Sequence, residues 1–91
     1  MVWSEDEYME NLLGERRSYA WVMQRYGGMG AAEAERAAVE CYPYEPADDE
    51  YRGLVFHDEA WHWAMKALYG HNYVNERPEL VWPPPEYRAL P

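Results

Sequence analysis

The stretch HDEAWHWAMKALYG, residues 57–70, carries two histidines, two carboxylates and a lysine. Read as a helix, it places them within about four turns. Metal binding is the first chemistry to consider. Glu59 and His62 match Glu-x-x-His, the helical pair that supplies a carboxylate and an imidazole to di-iron bundles. Such a centre needs a second pair and two more inward glutamates. A twofold copy would have to supply the pair, and Glu10 or Glu15 the remainder. Glu59 would also have to face a core. His57 and His62 are five residues apart, so they diverge by about 140° on a helix and cannot form the i, i+4 pair of zinc proteases. His71 lies beyond Gly70, too far along to join them. Glu59 and His62 thus remain weak metal candidates, and no cofactor is expected.

Nucleophilic catalysis has little material. The chain has two serines and no threonine. Ser4 is positioned as a helix cap and Ser18 falls inside a helix. Cys41 lies on an apolar helix side with no activating neighbour in sequence, which fits a small buried hydrophobe. Gly27–Gly30 reads GGMG, without the lysine or preceding strand of a phosphate loop. No catalytic residue is assigned, and the chain is expected not to be an enzyme.

The elements that must position these residues are helical. Isoleucine and threonine are absent and valine occurs six times, so a sheet has few β-branched side chains to build on. Ala, Glu, Leu, Met and Arg are strong helix formers. An all-α single domain over residues 1–91 is expected, with a helical body at 1–70 and a tail at 71–91.

The predicted bundle has three main helices, at about 5–26, 31–42 and 58–69. Ser4 and Glu7 form a capping box for the first, and Trp3 and Tyr8 occupy hydrophobic-staple positions. Its apolar face is Tyr8, Met9, Leu12, Leu13, Tyr19, Ala20, Met23 and Tyr26, and Gly27-Gly28 stops it. The second presents Ala31, Ala34, Ala37, Ala38 and Cys41, and Pro43 ends it. A short helix is expected near 46–52, after which Leu54-Val55-Phe56 should enter the core.

In the third helix His57 or Asp58 is the expected cap. Trp61, Ala64, Met65 and Leu68 form its apolar face, flanked by Ala60, Trp63 and Ala67. Asp58, Glu59, His62 and Lys66 form a wet stripe.

The tail has no helical periodicity. Pro78 and Pro83-Pro84-Pro85 predict an extended, locally polyproline II segment packed on the body through Leu80, Val81 and Trp82. Pro84-Pro85-Glu86-Tyr87 matches the P-P-x-Y ligand of WW domains. Apolar residues on both sides favour the other reading, in which Tyr87 and Leu90 anchor the tail.

The formal net charge is −9. That field repels nucleic-acid phosphate and anionic membranes, and it attracts a basic partner. No apolar run approaches the ~18 residues of a membrane span. The beginning MVWSEDEYMEN is unlike a signal peptide, so a cytoplasmic location is expected.

Tyr42-Pro43, Asp48-Asp49 and Gly53-Leu54-Val55 resemble the Tyr-Pro corner and acidic loop of nuclease-colicin immunity proteins, which are short, acidic and helical. The likeness covers about a third of the chain. Tyr44 follows the proline where that family has Tyr-Tyr-Pro, and the tail has no counterpart there, so the likeness does not assign the family.

The expected function is a small acidic protein-binding module that inhibits or regulates a basic partner of toxin, nuclease or defence-complex type. Candidate contacts are Trp21, Arg17 and Arg25 on the first helix, Asp48, Asp49, Glu50 and Tyr51 in the loop, and Trp63. For Trp21 the alternative is burial under the tail, with the arginines packed on the ring. The alternative functions are a homodimeric accessory protein that hides Trp61 or Trp63, and a metal site on Glu59 and His62.

Overall fold

The computed structural model describes residues 3–91; Met1 and Val2, with their part of the N-terminal reading, lie outside it. Among the described residues every regular element is helical. None of these helices is long and apolar enough to cross a membrane.

Helix α1, Glu5–Arg25, begins at the predicted capping box. The Glu7 amide donates to Ser4 Oγ at 3.1 Å, and the Ser4 amide donates to Glu7 Oε1 at 3.3 Å. Glu5, Asp6 and Glu7 place negative charge on the positive end of the helix dipole. Trp3 does not close on Tyr8. It packs edge-on against Phe56, 5.6 Å between ring centroids, and Phe56 lies 5.9 Å from the Tyr8 ring. A long-range aromatic partner therefore replaces the local staple.

Gly28, at φ +68°, reverses the chain, and the Met29 amide donates back to the Met23 carbonyl. Helix α2, Ala31–Cys41, follows with Ala34 and Ala38 fully buried. Small side chains there let α2 approach α1 closely. Leu13, expected in the core, is 44% exposed, and Val22, left out of the predicted face, is completely buried. The cause is rotational: α1 turns its Tyr8–Leu12–Tyr19–Met23 side inward and leaves Leu13 beside the wet face.

Residues 46–52 contain turns and no helix. The Asp49 amide donates to the Pro46 carbonyl and the Arg52 amide to the Asp49 carbonyl. Arg52 sets this path. Its Nε donates to the Glu45 carbonyl at 2.9 Å, and its Nη2 donates to both Glu5 carboxylate oxygens at 2.8 Å. Its guanidinium also stacks 3.8 Å over the Tyr8 ring. Gly53, at φ +83°, turns the chain into a short 3-10 helix, Leu54–His57. Val55 and Phe56 are half-buried against the core, but Leu54 is 60% exposed, contrary to expectation.

Helix α3 spans Ala60–Tyr69, and its cap is Glu59 in place of His57 or Asp58. Asp58 is engaged elsewhere: its Oδ1 accepts from the Glu59 amide and its Oδ2 lies 3.3 Å from Lys66 Nζ. Ala60, Trp61, Ala64 and Met65 are fully buried. Ala67, expected on the apolar flank, is exposed.

The tail is not an extended strap. It contains α4, Tyr73–Glu76, a 3-10 turn at Pro78–Leu80, and α5, Pro85–Arg88. Pro78 and Pro85 sit in first turns, where no amide donor is needed and a fixed φ suits the helix. Tyr73 and Tyr87 are buried, whereas Trp82, expected to dock, is 74% exposed. The Trp61 indole N–H donates to the Leu80 carbonyl at 2.8 Å. The tail thus covers Trp61, and that ring needs no second copy to hide it.

A β-carbon on Gly53 would collide with the Trp3 indole and hold an L residue at positive φ. Gly53→Ala should therefore cost about 2 kcal/mol or more. A lowered urea midpoint with unchanged slope would confirm this; an unchanged midpoint would contradict it.

Candidate functional site

The first amides of an α-helix have no partner within the helix. In α3 this end is buried, so acceptors must come from other elements. The Ala60 amide donates to Glu15 Oε2 of α1 at 3.1 Å. The Trp61 amide donates to the Tyr87 hydroxyl of α5, also at 3.1 Å. Two residues distant in sequence therefore complete the cap that the predicted local residues do not provide.

Burial pushes the Glu15 carboxyl above its ordinary range, and the Glu59 carboxylate adds to the effect. The Ala60 amide and the Tyr42 hydroxyl, 3.5 Å away, pull in the opposite direction. Burial likewise raises the Tyr42 and Tyr87 phenols. A raised carboxyl near a second carboxylate is a pattern used in acid–base catalysis. Here Glu15 Oε2 is engaged by Ala60 and Tyr42, and the arrangement is accounted for by capping α3.

The stripe read as wet is largely covered. His62 Nδ1 shares a hydrogen bond with the Tyr73 hydroxyl, and Trp82 lies edge-on to the imidazole. Glu59 faces Arg88, with Nη2 3.2 Å from Oε1. The two metal candidates turn to different partners on α4 and α5. Among the described residues no group of three His, Cys, Asp or Glu is placed to hold a metal ion. The P-P-x-Y motif is equally committed, since Tyr87 is buried and its segment is helical. Burial raises the Cys41 thiol, which opposes formation of a reactive thiolate.

The predicted contact residues fall on separate surfaces. Trp21 is half-buried between Tyr26 and Tyr87, at 6.3 and 6.2 Å, with the Arg25 guanidinium 5.8 Å above it. Arg25 also faces Glu86 at 3.5 Å. The covered alternative thus describes Trp21 in part. Trp21 also lines a groove of about 610 Å³ formed by α1, α2 and the C-terminal Leu90 and Pro91, together with Arg17. Trp63 is half-buried, its indole N–H donating to the Val55 carbonyl at 3.0 Å, with Lys66 4.8 Å over the ring.

The loop candidates make a different surface. Asp48 and Glu50 are exposed, and Asp49 Oδ1 accepts from the Tyr51 amide at 2.8 Å. Tyr51 and Leu54 stand 64% and 60% exposed. Both line a groove of about 460 Å³ with Trp3, Phe56, Glu50 and Arg52. Sequence reasoning missed Arg52, the capping role of Glu15 and the exposure of Leu54. A signal existed for Arg52: it is a lone base in the acidic segment DDEYRG, next to a glycine.

Glu15→Gln retains an oxygen for the Ala60 amide and removes the desolvated charge. Glu15→Ala removes both and should cost about 1–2 kcal/mol. The folded carboxyl lies above its ordinary value of 4.5, so the folded state binds that proton more readily. This group's contribution is greatest below the ordinary value and declines as pH rises through the raised one. Glu5 and Glu7 act oppositely: hydrogen bonds from Arg52 and Ser4 lower them, and their contribution is lost on acidification. Urea melts from about pH 4 to pH 8 should show Glu15→Gln lacking the decline and matching or exceeding the native chain at neutral pH. A Gln variant as unstable as the Ala variant would refute the assignment. Tyr87→Phe leaves the Trp61 amide without its acceptor and should cost about 1–2 kcal/mol in the same assay.

No family model, curated protein or solved structure matches this chain.

Proposed function

We propose that the chain is a small acidic protein-binding module that inhibits or regulates a basic partner protein, and that its contact face is built around Tyr51 and Leu54. The observation that carries this reading is the exposure of both side chains, 64% and 60%, at the rim of one groove. Exposed apolar side chains with concave surface beside them are the usual material of an interface core. Glu50 lines the groove with them, and Asp48 in the loop and Asp6, Glu7 and Glu10 along the start of α1 are exposed carboxylates. The base at the groove, Arg52, has its charge matched by Glu5.

The net charge of −9 steers a basic protein toward the surface over a long range, and the aromatic and aliphatic anchors supply short-range affinity. A toxin, a nuclease or a component of a defence complex fits this chemistry, and no catalysis by the chain is required. Trp63 acts here by support. Its indole holds the Val55 carbonyl and so the 3-10 turn that presents Leu54.

Immobilised chain incubated with native lysate should retain a basic protein at about 0.05 M salt and release it near 0.5 M. Replacing Tyr51 and Leu54 together by alanine should weaken the complex at least about tenfold. Trp82→Ala, at a still more exposed ring on the tail, should leave it unchanged. An acidic partner, or one held equally well by the double variant, would refute the proposal.

A further inference from the structure

A second surface differs from the first in charge. Leu13 of α1 and Val39 of α2 are 44% and 47% exposed. They line the groove of about 610 Å³ from its two helical walls, and Ala20, Ala38, Trp21 and the C-terminal Leu90 and Pro91 line it too. The C-terminal residues reach one part of the groove, yet Leu13 and Val39 on the two helices stay exposed, an apolar face the chain covers only in part.

Acidic groups dominate a molecule of net charge −9, yet the charged side chains lining this groove are Arg16, Arg17 and Glu35. Arg16 Nε is engaged by the Tyr42 carbonyl at 2.9 Å. Arg17 on the α1 wall and Glu35 on the α2 wall are exposed. Each wall thus carries one exposed charge, and the two are opposite in sign.

We infer that this groove is a twofold interface with a second copy of the chain. A twofold axis along the groove sets α1 of one copy over α2 of the other. Leu13 then meets Val39 twice, and Arg17 faces Glu35 twice, the reciprocity an isologous interface requires. A basic partner meets Arg16 and Arg17 here and is disfavoured. A polyanion meets the negative field of the whole molecule. The residues around this groove are not shared with the Tyr51 groove, so a dimer leaves that face accessible, and the inference does not depend on the proposed function.

Salt separates the two surfaces. Screening weakens attraction between opposite net charges, so it weakens partner binding. Two copies of the same acidic chain repel, so screening strengthens the dimer.

Sedimentation equilibrium over a range of protein concentrations should show a monomer–dimer equilibrium that shifts toward dimer as salt rises. Leu13→Glu and Val39→Glu lie at exposed positions, and each should give a folded monomer, with folding checked by circular dichroism. Arg17→Glu and Glu35→Arg should each weaken the dimer about tenfold, since two attractive pairs become repulsive. The double variant Arg17→Glu/Glu35→Arg should recover it. A monomer at every concentration overturns the inference, and so does dodecanoate, used as an amphiphile probe, occupying the groove of a chain that stays monomeric. A dimer indifferent to Leu13→Glu, or a charge swap without recovery, overturns it as well.

Discussion

The first turn of α3 lies in the interior, where its amide protons have no water to bond. Ala60 and Trp61 are completely buried. An unpaired amide there costs about 1–3 kcal/mol, a large part of the stability of a small domain. Glu15 reaches across from α1 and Tyr87 from α5 to supply the oxygens. Placing a carboxyl in this setting also has a cost, visible in the upward displacement of Glu15, but the amide it satisfies gives the cost a return. The helix therefore cannot complete its start until the first helix and the tail are both in position.

This dependence explains the form of the tail. Tyr87 must bring its hydroxyl to the Trp61 amide, and Leu80 its carbonyl to the Trp61 indole. Short helical turns allow both. A polyproline strap would spread its side chains along an extended path, whereas α4 and the turns begun by Pro78 and Pro85 gather Tyr73, Leu80 and Tyr87 against α3. Arg52 plays a comparable part at the opposite end, joining the acidic loop to Glu5 and Tyr8. With a buried guanidinium as its centre, that loop adopts turns where local propensity predicts a short helix.

The same contacts divide the surface by function. Polar groups that looked available for chemistry in residues 57–70 are taken up in joining elements: Asp58 to Lys66, Glu59 to Arg88, His62 to Tyr73. Arg25, Arg52, Lys66 and Arg88 all face carboxylates within the chain. Internal pairing of bases leaves the carboxylate excess outside and the field strongly negative. The proposed recognition of a basic protein draws on that distribution of charge.

The sequence by itself determined what depends on near neighbours. The all-helical class, the Ser4–Glu7 capping box, the stops at Gly28 and Gly70 and the close-packing alanines of α2 are all local in origin, so periodicity and capping rules reveal them. The acidity of the surface is equally a property of composition. The exposure of Tyr51 among its acidic neighbours was legible, because an aromatic among charges in a loop has little reason to be buried. Leu54 was not: in sequence it belongs to an apolar run, and only the 3-10 turn rotates it outward. The anchoring of the tail by Tyr87 is also expected from its apolar surroundings. Only the tertiary structure decided the start of α3, the covering of His62 and Glu59 and the pairing of the Tyr87 hydroxyl with the Trp61 amide. Each rests on atoms from separate elements, between 11 and 45 residues apart, that no local pattern pairs. A side chain's local pattern states which face it prefers, but not which distant group will satisfy it.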